Sequence, residues 1–207
     1  MALDPSILRA MIVRGSERIV ASCEELCSLD LAIGDGDHGT NMKRGCEAVL
    51  ANVDEIVALP TGEALSAIGR TLVMNVGGAS GPLYGSLFLA AGGAIERGRR
   101  LPEDLAEIFA AGVGAVGARG RSMVGEKTML DVLVPVLETL RFASGRPSLV
   151  GEVRAVARKS TEQTASLLAT KGRAAYLGPR SVGHIDPGAR SSCLMVEAIC
   201  DTLGERQ

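Results

Sequence analysis

Apolar positions recur at helical spacing over nearly the whole chain. Ile7, Leu8, Met11, Ile12, Ile19, Val20, Cys23 and Cys27 keep that spacing to about Leu29. Asp4-Pro5 before them reads as an N-cap followed by proline at the first helical position. Further helices are predicted from Gly39-Thr40 to about Ala51 and from Thr61, with Leu65, Ile68, Leu72 and Val76 on one face. Others are predicted from Pro82 to about Arg97, from Pro102, and from Lys127-Thr128 with a kink at Pro135. The last two run from Ser148 to about Lys171 and from Ala189 to about Leu203. No hairpin signal joins two alternating runs. The pattern predicts an all-α fold of eight amphipathic helices, an up-and-down antiparallel bundle or barrel, as one domain over residues 1–207.

Four unusual connections interrupt this rhythm, at 31–41, 77–85, 120–128 and 171–190. If successive helices alternate in direction, the first two connections share an end of the bundle, and so do the last two. One functional end is therefore expected.

Composition narrows the chemistry. Apolar residues are 46% and charged residues 22% of 207, which is ordinary for a globular chain and excludes disorder as its main state. Aromatics are 2% and the net charge is −2, so neither a base-stacking platform nor a general phosphate-backbone surface is expected, and no nucleic acid. No apolar run is long enough to span a bilayer, and Met1-Ala2-Leu3-Asp4-Pro5 lacks the basic and apolar regions of a signal peptide. The five cysteines are an odd number with no Cys-x-x-Cys pair; Cys23 and Cys27 read as free core thiols, and a reducing cytoplasm is expected.

The densest chemical signal is Asp30-Leu31-Ala32-Ile33-Gly34-Asp35-Gly36-Asp37-His38-Gly39, with three carboxylates in eight residues, two of them alternating with glycine. Carboxylates gathered without partners repel one another, and a divalent cation removes the repulsion. Hard oxygen donors on a tight loop suit Mg²⁺ or Ca²⁺, and the EF-hand pattern is absent. Gly39-Thr40-Asn41 then opens a helix whose free N–H groups attract an anion. Metal beside phosphate is the ligand this pairing suits. Gly77-Gly78-Ala79-Ser80-Gly81-Pro82 offers a second small-residue turn leading into a helix, and reads as a further phosphate contact.

Two stretches imitate other motifs. Gly34-x-Gly36-x-x-Gly39 matches the dinucleotide fingerprint, but Asp35 and Asp37 would stand where pyrophosphate must approach. Gly120 to Thr128 resembles a P-loop with one residue inserted before Lys127, which rotates that lysine by about 100° around a following helix. It is kept only as a wall of the site. In the fourth connection Arg173 could contact phosphate, Asp186-Pro187-Gly188 reads equally as a cap for the last helix, and His184 reads as structural.

Together these stretches resemble one family, the nucleotide-binding L subunit of dihydroxyacetone kinase. The matching runs are Ile33 to Met42, Val76 to Gly85, Gly125 to Val132, Lys171 to Gly178 and Gly183 to Ala189, in the family's order and spread over the chain. The resemblance implies an antiparallel eight-helix barrel with nucleotide at one end. It implies that Asp30, Asp35 and Asp37 hold Mg²⁺, two ions in that family, bridging the phosphates of ADP or ATP. By the same resemblance His38, Gly39, Thr40, Asn41, Ala79 and Ser80 meet the nucleotide. Gly120, Met129, Arg173, Asp186, Pro187 and Gly188 would line the remainder of that site.

No nucleophile constellation and no substrate-directed base is visible in the sequence, so no catalytic residue is assigned. The family supplies the acceptor from a separate K subunit that binds dihydroxyacetone, and in its phosphotransferase-system form an M subunit rephosphorylates bound ADP. The expectation is a kinase subunit that presents Mg-nucleotide and is inactive without its partner, and a homodimer is considered. The alternatives are transfer from free ATP to another short ketose, a stand-alone metal-dependent phosphohydrolase, and a regulatory binding protein.

Overall fold

The computed structural model describes residues 3–143 and 145–205; residues 1, 2, 144, 206 and 207 of the expected domain lie outside the described residues. The described residues contain α-helices and 3₁₀ turns and no strand. The helices are α1 (Pro5–Ala21), α2 (Cys23–Ile33), α3 (His38–Ala51), α4 (Val53–Val57), α5 (Thr61–Asn75) and α6 (Ser80–Glu96). They continue with α7 (Leu105–Gly120), α8 (Leu130–Phe142), α9 (Leu149–Gln163) and α10 (Pro187–Gly204). Counting α1 with α2, and setting aside the single turn of α4, these make the eight expected passes.

Each pass packs on the one before and the one after, and α10 closes on α1, so the helices form a ring. The larger core cluster runs along its inside, with Ile19, Leu26, Met42, Tyr84 and Val116 at 2% exposure or less. A smaller cluster, including Val132, Ala157, Ala189 and Cys193, lies among α8, α9 and α10. Helices α5 and α6 approach to backbone contact. A Cβ on Gly69 would come within 2.9 Å of the Gly85 carbonyl, and one on Gly92 within 2.5 Å of the Gly62 carbonyl.

The chain departs from the periodicity in four places. The first predicted helix is two helices, broken at Ser22, whose ψ of 13° leaves the helical range, and the second of them extends past Leu29 to include Asp30. The fifth begins only at Leu105, after a turn that contains Pro102. The sixth begins at Leu130, because Lys127 has a left-handed φ of 60° that no helix start accommodates. The seventh ends at Gln163; the carbonyls of Thr164 and Leu167 beyond it are taken by the Lys127 ammonium at 2.6 and 3.3 Å. No helix among the described residues is long and apolar enough to cross a membrane.

Candidate functional site

Because the passes alternate, all four unusual connections lie at one end of the ring. Their contacts show it. His38 at the start of α3 meets Ser80 at the start of α6 and Ser191 in the first turns of α10. Arg173 from the fourth connection reaches Asp35, with N–O 2.8 Å, and Lys127 from the third meets the carbonyl of His184.

The acidic loop is folded by its own polar groups. One oxygen of Asp30, near the C-terminus of α2, accepts from the N–H groups of Asp37 and His38 at 2.9 and 3.1 Å. Asp30 thereby satisfies two donors at the start of α3, a capping role played from a different helix. The other Asp30 oxygen lies where a side chain on Gly34 would stand, 2.3 Å from its would-be Cβ, and Gly36 takes a φ of +77°. These two glycines let the chain turn tightly enough for ligand atoms of Asp30, Asp35 and Asp37 to lie within 4.8 Å of one another. Asp35 and Asp37 are exposed and Asp30 is half-buried. Three carboxylates this close, with the Arg173 guanidinium paired to one of them, form a hard-oxygen set that fits a divalent ion.

The other predicted contacts are distributed around this cluster. The Thr40 hydroxyl donates to the Asp37 carbonyl, and buried Asn41 accepts from Arg44 at 3.0 Å while crowding Gly77. Ala79 and Ser80 begin α6. An open cleft of about 450 Å³ beside the cluster is lined by Ile33, Gly34, Asp35, Arg173, Tyr176 and Leu177.

Across the end, Met129 is 4% exposed and packs against Gly188. Gly120 closes α7 beside Leu83 and Ser122. Asp186 caps α10, accepting from the Ala189 N–H at 2.7 Å, and Pro187 occupies the first helical position. Desolvation pushes the Asp186 carboxyl up to about 7, with the nearby Asp131 carboxylate adding to the rise and Lys127 opposing it. Capping and binding are equal readings of Asp186-Pro187-Gly188 in the sequence; the capping half is present in the fold.

Lys127 is 2% exposed and its ammonium donates to three carbonyls, those of Thr164, Leu167 and His184. It faces inward as a tie between the third and fourth connections, not outward to a phosphate. Burial lowers its pKa, against the pull of Asp186 and Asp131. Asp131 in turn fixes the third connection, accepting from the Gly125 and Thr128 N–H groups at 2.5 and 2.7 Å.

Sequence reasoning missed a hydroxyl network. Tyr84, at 1% exposure, places its hydroxyl 2.7 Å from Ser191, 2.8 Å from Ser192 and 3.2 Å from the Gly188 carbonyl. His38 completes it with Nε2 2.9 Å from Ser191 and Nδ1 3.1 Å from Ser80. Burial lowers the His38 pKa, opposed by the Asp30 and Asp37 carboxylates, and burial raises that of Tyr84. The one signal of it in the sequence is Tyr84 inside the Val76–Gly85 run; nothing local marks two serines at the far end of the chain.

Comparison with known proteins agrees with this arrangement. Residues 32–201 match the DAK2 domain. The chain is 42% identical over 186 residues to the ADP-binding subunit DhaL of PEP-dependent dihydroxyacetone kinase 1 from Listeria innocua, covering 90% of each chain. It is 38% identical over 204 residues to the corresponding DhaL subunit of Escherichia coli K12, covering 96% of this chain and 97% of that one. In structure it resembles the dihydroxyacetone kinase of C. freundii in complex with AMP-PNP and Mg²⁺. The TM-score is 0.78 at 22% identity, over 97% of this chain but only 34% of the larger one.

Proposed function

The chain belongs to the DAK2 domain family, and from that premise we propose that it is the ADP-binding subunit of a dihydroxyacetone kinase. It carries a magnesium-bound ADP or ATP at the end of the ring where the four connections meet, and presents it to an acceptor held on another subunit. The observation that carries this reading is the Asp30–Asp35–Asp37 cluster, its ligand atoms within 4.8 Å, directly ahead of the N-terminus of α3. The relatives named as ADP-binding subunits of PEP-dependent dihydroxyacetone kinases support it.

Asp30, Asp35 and Asp37 would hold the metal, two ions on the family's pattern, and bound metal would neutralise charge on the phosphates. The chain's own groups do the rest. Phosphate oxygens meet the first turns of α3 and α6, at Gly39, Thr40, Asn41, Ala79 and Ser80, where the helix dipoles are positive. Arg173 is long and exposed, and can leave Asp35 for a phosphate once that carboxylate is neutralised elsewhere. Met129 and Gly188 give an apolar surface of the softness a purine packs on, with Gly120, Asp186 and Pro187 around it. No side chain among the described residues of this end is placed to activate an alcohol.

We therefore assign the acceptor, dihydroxyacetone, to a K subunit, and the rephosphorylation of retained ADP to an M subunit of the phosphotransferase system. Leu31 and Tyr176 beside the acidic loop are 72% and 90% exposed, as an apolar rim awaiting a protein partner would be. We read residues 1–207 as one cytoplasmic nucleotide-binding domain.

Calorimetry tests the core of the proposal. ADP should bind in the presence of Mg²⁺ and much more weakly after chelation; absence of uptake in both conditions ends it. The purified chain alone should release no phosphate from ATP. Mixed with K subunit, dihydroxyacetone and ATP but no M subunit, it should stop after one turnover. Sustained turnover there would transfer the chain to the class using free ATP.

A further inference from the structure

The polar network behind the acidic loop contains enough contacts to decide where its protons lie. Both ring nitrogens of His38 meet a serine oxygen, Nδ1 with Ser80 and Nε2 with Ser191, so the ring orientation is fixed. Ser191 also lies 3.1 Å from the Gly188 carbonyl, and the Tyr84 hydroxyl touches Ser191, Ser192 and that same carbonyl. On the α10 side there are thus five contacts among His38, Tyr84, Ser191, Ser192 and Gly188. Each hydroxyl has one proton, and a carbonyl has none to give.

Two assignments compete. If Nε2 carries the hydrogen, His38 donates to Ser191. The Ser191 proton is then free for Gly188, Tyr84 donates to Ser191 and Ser192 donates to Tyr84. Four of the five contacts become hydrogen bonds. If Nε2 is bare, Ser191 must spend its proton on the ring, only three hydroxyl protons serve the five contacts, and one more buried contact goes unmade. A buried polar group left without its bond costs more than the bond itself contributes, so the first arrangement wins. The backbone carbonyl of Pro187, also a hydrogen-bond partner of the ring, can only accept and favours the same choice.

We infer that Ser191, braced by Tyr84, is a positioning residue. It holds His38 with its hydrogen on Nε2, which makes Nδ1 the acceptor of the Ser80 hydroxyl proton and leaves Ser80 Oγ offering only lone pairs. Two helix starts, α6 and α10, are joined through one imidazole. The ligand half of this inference rests on reading this end as a nucleotide site. There Ser80 Oγ would face a cation or a hydroxyl group, while phosphate oxygens would be met by backbone N–H groups.

Nitrogen NMR of the ligand-free protein with ¹⁵N-histidine tests the proton assignment without any nucleotide. The chain has two histidines, and His184 is exposed, so His184→Gln assigns the spectrum. The expected result is one neutral form of His38 with the proton on Nε2 and a far-downfield, unprotonated Nδ1. A proton on Nδ1 overturns the inference. Ser191→Ala should shift the His38 resonances and weaken ADP binding about tenfold at unchanged helix content, and Ser191→Thr should restore both. Wild-type resonances and affinity in Ser191→Ala would remove Ser191 from the role. If Ser191→Ala does not fold, the wild-type spectrum still decides the proton. An Nε2–H signal in a protein that binds no ADP would sink the nucleotide reading and leave the hydrogen-bond assignment standing.

Discussion

The two sides of the loop end are built on opposite principles. On one side Asp35 and Asp37 stand in solvent, gathered by two glycines and the backbone donors that Asp30 accepts from. On the other, Lys127, Asp131 and Asp186 are drawn inward and consumed by the fold, each bonded to main-chain groups. The first side keeps charge available for something that is not the protein. The second uses charge to fix the shape of two long connections that have little regular structure of their own. A charged residue near a site is thus evidence of ligand binding only where its hydrogen-bonding capacity remains unspent.

Exchanging charge for neutrality should therefore have opposite effects on the two sides. The largest effect is expected at Lys127→Met. Three buried carbonyls lose their donor and two carboxyls lose their counter-charge, so stability should fall by about 3–5 kcal/mol in denaturant unfolding. A loss below about 1 kcal/mol would show that this side is not held by its charge. Next come Asp35→Asn and Asp37→Asn. Their side chains are exposed, so unfolding should move by no more than about 0.5 kcal/mol. Mg-dependent ADP affinity should nevertheless fall by about 10- to 100-fold by calorimetry. Equal losses of stability and affinity would erase the contrast.

Smaller and confined to a pH window is the effect at Asp186. Its folded carboxyl keeps a proton up to about pH 7, whereas in the unfolded chain it is lost at about pH 4. The folded state binds more protons between those values, so stability falls as pH rises from about 4 to 7 and is flat above. Asp186→Asn stays neutral and can still cap α10, so its unfolding midpoint should decline less over that window than the wild type's. The smallest effect is expected for Arg173→Ala in the free protein. An exposed ion pair with Asp35 contributes about 0–1 kcal/mol, and thermal unfolding should scarcely change while ADP binding weakens.

How much of this was legible in the sequence depends on the distance over which each feature acts. Long amphipathic repeats announced the passes because helix periodicity is local, and the acidic loop was legible because its carboxylates are neighbours in the chain. The break at Ser22 left no mark, since a one-residue departure disturbs the apolar spacing little. Lys127 was recognised as out of register for a P-loop, but its actual partners lie 37 to 57 residues downstream and no local pattern encodes them. Ser191 and Tyr84, separated by 107 residues, are ordinary in their own segments and meet only because the ring closes.

That closure has a further consequence for how the unit can be combined with others. The backbone near Leu3 touches Thr61 at the base of α5, and Arg14 pairs with Glu205, so the first and last described turns are neighbours on the side away from the acidic loop. Extra polypeptide can be appended before the first helix or after the last without shadowing the working face. An architecture of this kind is portable: it serves equally as a free-standing part and as a cassette within a longer enzyme, and a purification tag or fluorophore belongs at its base.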